Sequence, residues 1–244
     1  DGRPEATFTG RHSIDALQDW PMISGLPEGL LSGELAWEAR GVIATPTISL
    51  QIDSDLVGVA IDLPSPLAKT ADESLPSRLT LTRRGGSQNW RLNLGSDLQA
   101  VVQTGGPSMR GDVRYRSGDP VLSSEPGLSL AARFEQIELP LWQQWVKQNR
   151  TLLPDQMQGT EAADPIQRPS AKIANVRTLD LRVDEFIGFG QTLDDLAMSA
   201  IRDETGWLFD IDQPRMRGQV IVPNLKAQPV AFNMQRLSLA REDH

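Results

Sequence analysis

The side chains that most often carry catalysis or bind metals are few in this chain of 244 residues. It has two histidines, His12 and His244, and no cysteine. The histidines lie far apart in the sequence, and no G-x-S-x-G motif supplies a serine nucleophile. Without cysteine there is neither a disulfide framework nor a thiolate metal site. We therefore predict no catalytic triad and no zinc site, and we name no catalytic residue and no metal ligand.

Three pairs of acidic side chains are the other candidates for chemistry. They are Asp53 with Asp55, Asp194 with Asp195, and Asp210 with Asp212. Two carboxylates can hydrolyse a glycosidic bond or hold calcium. However, the sequence Asp53-Ser54-Asp55 lacks the glycine and the terminal glutamate of an EF-hand loop. Solvated strand faces and turn capping explain all three pairs more simply, so we predict no cofactor.

The overall charge and the apolar runs exclude two further classes of protein. The formal net charge is −8, whereas a nucleic-acid-binding surface requires basic residues, so we expect no nucleic-acid partner. The apolar runs are far shorter than the ~20 residues of a membrane helix. The first residues, DGRPEATFTG, lack the basic start and the apolar core of a signal peptide. The start at Asp1 suggests a mature segment or a piece of a longer protein, with any anchor elsewhere.

Apolar residues alternate with polar residues along most of the chain, which is typical of strands with one buried face. Between such runs, Gly85-Gly86 and Gly95-Ser96-Asp97 predict hairpin turns, because glycine readily adopts the positive φ that these turns need. Few segments are long enough to be the crossover helices of parallel units. We predict an all-β fold, an antiparallel meander whose strongly twisted sheet either curls into a β-groove or packs as a sandwich.

One segment has a helical period instead. Apolar side chains at Leu141, Trp142, Trp145 and Val146 are spaced as a stripe on one helix face, and Pro140 suits a first helical turn. The pattern predicts a short helix near 140–149 that packs Trp142 and Trp145 onto the sheet. Stacking of these two rings on a ligand is the alternative role.

A stretch without any period divides the chain. Residues 151–170 are rich in Pro, Gln and Asp, which predicts a linker or mobile loop. We therefore expect a first β-sheet segment over residues 1–150, which includes the short helix. A second β segment, residues 171–244, is expected to continue the sheet.

The most distinctive stretch is residues 52–71, IDSDLVGVAIDLPSPLAKTA. It resembles the signature of the YhdP branch of the AsmA-like family, SDL-x-G-x-x-I-x-LP-x-PL-x-K. The residues that fill its fixed positions are Ser54, Asp55, Leu56, Gly58, Ile61, Leu63, Pro64, Pro66, Leu67 and Lys69. Less specific passages, such as GELAWEARGVI, GWLFDIDQPRMRGQVIVP and FNMQRLSL, are similar to the same family in the same order.

The resemblance implies a cellular location and a function. YhdP-like proteins are anchored in the inner membrane near their N-terminus and run through the periplasm of Gram-negative bacteria. Their long β-sheet curls into a groove with an apolar interior, as in TamB-like proteins, and they are implicated in phospholipid transport and outer-membrane biogenesis. By this resemblance the chain is an internal periplasmic segment of such an envelope protein. Its implied partners are phospholipid acyl chains, flanking segments of a longer chain and other envelope proteins.

Three hypotheses about function follow. The first is a non-enzymatic lipid conduit that shields phospholipid acyl chains between the inner and outer membranes. The second is a structural or interaction β-module of the envelope with a filled core, and the third is a polysaccharide-active enzyme that uses an acidic pair. A trough and a sandwich show the same alternation, so each candidate groove residue is equally compatible with an ordinary core. The candidates are Leu50, Ile52, Leu81, Leu92, Val102, Leu130, Leu181, Met198, Phe209, Val220 and Phe232.

Overall fold

The computed structural model describes residues 5–17, 26, 29–44, 46–149, 176–224 and 229–237. One α-helix occurs in this part of the chain, α1 (Leu139–Gln148), together with a short 3-10 helix at Ile14–Leu17. The predicted linker at 151–170 lies outside the described residues. The strands are β1 (Glu5–Ser13), β2 (Leu31–Ala44), β3 (Thr47–Ser54), β4 (Val59–Ile61), β5 (Ser77–Arg84), β6 (Ser87–Leu94), β7 (Leu98–Thr104), β8 (Arg110–Tyr115), β9 (Gly127–Glu138), β10 (Val176–Gly188), β11 (Gln191–Arg202), β12 (Gly206–Gln213), β13 (Met216–Pro223) and β14 (Ala231–Leu237).

These strands form one open, curled sheet, which confirms the predicted all-β fold and the short helix. Their order in the sheet follows the chain from β1 to β14, except that β4 pairs only with β2, so that β5 lies next to β3. The pairing is antiparallel apart from two places, where β9 lies parallel to both β8 and β10. The predicted antiparallel meander thus has two exceptions, at the β8–β9 and β9–β10 pairings. The physical reason is that residues 116–126 run back along the sheet before β9 begins, so β8 and β9 point the same way.

The register aligns the apolar positions of neighbouring strands into one continuous line, which we call the apolar row. In an antiparallel or parallel ladder, paired residues lie on the same face of the sheet. The apolar row takes one residue from each strand of the sheet except β4. Its members are Phe8, Ala39, Ile52, Leu79, Leu92, Ala100, Val113, Leu130, Leu179, Ala200, Phe209, Val220 and Phe232.

The neighbouring line of paired residues, one position along each strand, faces the other side of the sheet. It consists of Thr9, Glu38, Asp53, Arg78, Asn93, Gln99, Arg114, Ala131, Asp180, Ser199, Asp210, Gln219 and Asn233. All except Ala131 are polar. The sheet therefore has an apolar face and a polar face over its whole width, as period-two alternation requires once the register is fixed.

The connection from β8 to β9 covers the middle of the polar face. Asp112 is 1% exposed, and its Oδ2 accepts hydrogen bonds from the backbone N–H of Val121 at 2.8 Å and from Nε of Arg114 at 2.9 Å. Val101, the partner of Asp112 in β7, is also buried. This short strap is therefore tied to the sheet by a buried carboxylate with two donors.

The two ends of the strands differ. We call the end at which β3 and β9 finish the upper end, and the end at which they begin the lower end. Most of the deeply buried apolar side chains belong to the upper end: Ile14, Leu17, Val59, Phe134 and Val183, all at 9% exposure or less. At the lower end, by contrast, Ile43 is 57% exposed and Ile48 is 48% exposed. The apolar face is thus covered at one end and open at the other.

A turn at the upper end is held by an ion pair. Nε of Arg116 donates to Oδ2 of Asp97 at 2.8 Å and joins the β6–β7 turn to the start of the strap over residues 116–126. The hydrogen bond from Arg116 holds the pKa of Asp97 below its usual range, and a bond from Ser96 adds to this effect. A carboxyl group whose pKa is lower in the folded state stabilises the protein above its unfolded pKa, and this contribution disappears as the pH falls through the folded pKa.

We predict that Asp97→Asn weakens the fold at neutral pH and makes its stability less dependent on pH in the acid range. The unfolded pKa of aspartate is about 3.9, so the parent chain should lose this contribution below about pH 4. Urea unfolding midpoints measured from neutral to acid pH test the prediction. Asp119→Asn, in the strap that Arg116 begins, is the matched control because its side chain is exposed. Identical pH profiles for the parent and Asp97→Asn would contradict the role of this pair.

Candidate functional site

The apolar face brings together all the residues that alternation named as groove candidates. Six belong to the apolar row itself: Ile52, Leu92, Leu130, Phe209, Val220 and Phe232. Three lie one step nearer the lower end, namely Leu50, Leu81 and Val102. The remaining two, Leu181 and Met198, lie one step nearer the upper end and pair with each other. All eleven share one face of one sheet; their contact with lipid remains a prediction.

The exposure of these side chains differs from that of a sandwich core. Ten of the eleven candidates are half-buried, and Phe232 at the β14 edge is 70% exposed. In a core between two sheets, facing side chains interdigitate and exclude water. Here every strand of the described residues except β4 lies on the single path of the sheet, and no second sheet of comparable size faces it. The apolar face is a trough whose floor is still accessible.

Sequence reasoning missed other members of this face. Leu79, Val113 and Leu179 lie in the apolar row, and Trp90 pairs with both Leu81 and Val102. Leu79, Trp90 and Leu179 are each two residues from a candidate on the same strand. Val113 pairs with the candidate Leu130 on the next strand. The parity within each strand was therefore a usable signal, although the cross-strand pairs that join them into a row come from the register alone.

The signature stretch folds into a compact segment at the upper end, which we call the cap (residues 55–76). It leaves β3, forms β4 against the start of β2, and returns to β5. Its centre is Lys69, which is only 6% exposed. The Nζ atom of Lys69 donates three hydrogen bonds, to the carbonyl oxygens of Leu56 at 2.8 Å, Val59 at 2.6 Å and Thr70 at 2.9 Å. An ammonium group has three donors, so its burial is compensated in full.

Two glycines allow the cap to approach β2. The backbone N–H of Glu34 donates to the carbonyl oxygen of Gly58 at 3.0 Å. Gly33 has a φ of +102°, and a Cβ at that position would lie 2.0 Å from the same oxygen. Only glycine fits such a contact at that backbone angle. The fixed glycine of the signature, Gly58, likewise has a φ of +95°.

The polar residues of the signature begin the cap. Oγ of Ser54 donates to the carbonyl oxygen of Ala36 at 2.7 Å and accepts from the N–H of Leu56 at 3.0 Å. Oδ1 of Asp55 accepts from the N–H of Val57 at 3.0 Å. These contacts form a side-chain-stabilised turn in which Leu56 tolerates a positive φ. The signature residues thus serve local structure, and Asp55 is not part of a metal cluster among the described residues.

Helix α1 closes the upper end from the other side. Nε1 of Trp145 donates to the carbonyl oxygen of Asp62 in the cap at 2.7 Å. Asp62 adjoins the start of β2, which lies six strands from β9 along the sheet, or about 29 Å if the sheet were flat. A ten-residue helix spans only about 15 Å, so the contact requires the sheet to curl. Trp145 was expected to pack onto the sheet; instead it reaches across to the cap, because the curl brings the cap within its range.

Asp53, Asp210 and Asp212, members of two of the acidic pairs, make ordinary structural contacts. Oδ1 of Asp53 pairs with Nε of Arg78 at 2.6 Å, and Oδ2 of Asp53 accepts from Gln51. Burial alone raises the pKa of Asp53, but the hydrogen bonds from Arg78 and Gln51 outweigh it, so the pKa is lowered. Asp212 pairs with Arg217 at 2.6 Å. These carboxylates lie on or beside the polar face and hold neighbouring strands together.

Comparison with known proteins assigns the whole chain to one family. The family model described as "YhdP protein" matches residues 1–244. No match was found among curated proteins or among solved structures. Within the described residues, no helix has the length and apolar character needed to span a membrane.

We predict that Lys69→Met destabilises the chain by about 3 kcal/mol, because the carbonyl groups of Leu56, Val59 and Thr70 would each lose a charged donor. Chemical denaturation of the parent and the variant measures the difference. The matched control is Lys147→Met on α1, an exposed side chain, for which we expect a change below about 0.5 kcal/mol. Equal stability losses in the two variants would show that the three hydrogen bonds of Lys69 do not hold the cap.

Proposed function

The chain belongs to the YhdP family, and on that basis we propose that it is a lipid-conduit segment that shields phospholipid acyl chains on its apolar face. The proposal includes transport of phospholipid between the inner and outer membranes. It assigns no covalent chemistry to the segment. Its place is the periplasm, within a protein anchored in the inner membrane outside these residues.

The observation that carries the proposal is the accessible apolar row. It crosses thirteen strands in register, a path of about 58 Å at the usual spacing between strands. Removing apolar surface from water is worth about 25 cal/mol per Å². An acyl chain on this face would therefore be held by the burial of apolar surface alone. No polar contact with the acyl chain would fix it at one point. Such binding suits a ligand that moves along the row.

The edges of the sheet support a role within a longer structure. Strands β1 and β14 are the outermost strands of the sheet in the described residues, and each has one side without a ladder partner there. Phe8 in β1 and Phe232 in β14 are 60% and 70% exposed on the apolar face. Flanking segments that add strands at these edges would cover both and extend the row.

We predict that the double variant Met198→Ser and Phe209→Ser binds less phospholipid than the parent, because both side chains lie on the apolar face. The matched control is Ile201→Ser and Leu208→Ser. These two residues pair with each other in the same strands but face the polar side, where they are 57% and 40% exposed. Phospholipid extracted from purified protein and quantified by mass spectrometry is the measurement.

The expected result is a several-fold loss of bound phospholipid in the apolar-face variant and no change in the control. Equal binding by all three proteins would contradict the conduit. Absence of phospholipid from the parent chain, despite loading from vesicles, would also overturn it and would favour a structural module of the envelope.

A further inference from the structure

The lower end of the apolar face differs from the rest of that face because arginines lie in it: Arg202, which stacks on Trp207, and Arg83. The line of paired residues nearest the lower end runs through Ile43, Ile48, Arg83 and Gln88. Arg83 is two positions after Leu81 on β5, so it lies on the apolar face. Its exposed guanidinium is therefore next to two of the most exposed aliphatic side chains of the trough.

The guanidinium of Arg83 makes few polar contacts with the described part of the chain. Within the part of the chain that the structure describes, its hydrogen bond goes from Nε to the carbonyl oxygen of Gly85 in the adjoining turn, at the long distance of 3.5 Å. Among the described residues it has no carboxylate partner, unlike Arg78, Arg116 and Arg217. Most of its donors are therefore directed at solvent and are available to a ligand.

Cations outnumber carboxylates at the lower end of the described sheet. The cations there are Arg83, Arg84, Arg110, Arg177 and Arg202. The carboxylates there are Glu5, Glu125, Asp203 and Glu204; Glu125 is paired with Arg177, and Asp203 caps its own turn. This excess of cations favours an anionic group at the lower end.

We propose that the lower end of the trough binds the phosphate of a phospholipid headgroup through Arg83, with the acyl chains lying on the apolar face toward the capped upper end. A guanidinium matches phosphate with two parallel hydrogen bonds, and Ile43 and Ile48 provide the adjoining apolar contact for the start of the chains. This inference rests on the proposed lipid-conduit function and adds the orientation of the bound lipid.

The adjacent residue provides a matched control. Arg84 follows Arg83 in β5, is exposed at the same end of the sheet, and pairs with Thr47 and Ser87 on the polar face. Arg83→Gln and Arg84→Gln remove the same charge from neighbouring positions. They differ only in the face of the sheet that loses its cation.

The experiment compares vesicle-to-protein transfer of a fluorescent phosphatidylglycerol with that of a diacylglycerol carrying the same acyl chains. We expect Arg83→Gln to weaken phosphatidylglycerol binding about tenfold, the usual effect of losing one charge-assisted contact, and Arg84→Gln to leave it within about twofold. Diacylglycerol binding should be equal in the parent and both variants. Arg83→Lys, which keeps the charge, should restore part of the affinity.

Each contrary outcome identifies what is wrong. If the parent binds neither lipid, the conduit itself is overturned. If the parent binds both lipids and the two glutamine variants behave alike, the conduit stands and the headgroup site at Arg83 is overturned. Displacement of phosphatidylglycerol by inorganic phosphate in millimolar excess would assign Arg83 to free phosphate and would also overturn the headgroup site.

Discussion

An apolar sheet face without a second sheet to cover it is the constraint on which this structure depends. In a β-sandwich, two apolar faces bury each other and the core is dry. Here one sheet accounts for every described strand except the short β4, and its apolar positions align in register from Phe8 to Phe232. Leaving that surface in water is unfavourable in proportion to its area. The chain covers part of it by curling and by closing one end, and the remainder is surface that an apolar ligand can cover.

The cap that closes the upper end needs new hydrogen-bond partners for its backbone. A connection that leaves a sheet no longer has the donors and acceptors of neighbouring strands. In the cap, the carbonyl groups of Leu56, Val59 and Thr70 converge on Nζ of Lys69, and those of Leu56 and Thr70 also accept from backbone N–H groups. A buried ammonium group satisfies all three, and the absence of side chains at Gly33 and Gly58 lets the cap touch β2. The contacts that Ser54, Gly58 and Lys69 make in this stretch are therefore accounted for by the hydrogen-bonding needs of the backbone.

The difference between the two ends follows from the lengths of the connections. The long connections after β1, β3 and β9 all leave from the upper end, and they supply the 3-10 helix, the cap and α1. At the lower end, β2 joins β3 and β5 joins β6 through two residues each, too few to fold back over the face. In the described part of the chain, the lower end near β2, β3 and β5 is therefore open, and Arg83 remains exposed there beside aliphatic side chains. Access and charge thus favour the same end for an amphiphile with an anionic headgroup.

The sequence by itself determined the local structure and the face of each side chain. Alternation placed Leu50, Phe209 and the other candidates on one side of their own strands, and the helical stripe located α1 within one residue at each end. These predictions succeed because period and turn chemistry are properties of neighbouring residues. Only the tertiary structure decided how strands pair, since that depends on hydrogen bonds between residues far apart in the chain. It made β9 parallel to its neighbours, brought the carbonyl groups of Leu56 and Val59 to Lys69, and brought Trp145 to Asp62. Alternation with Leu81 already separates the faces of Arg83 and Arg84; the register alone placed Arg83 beside Ile48.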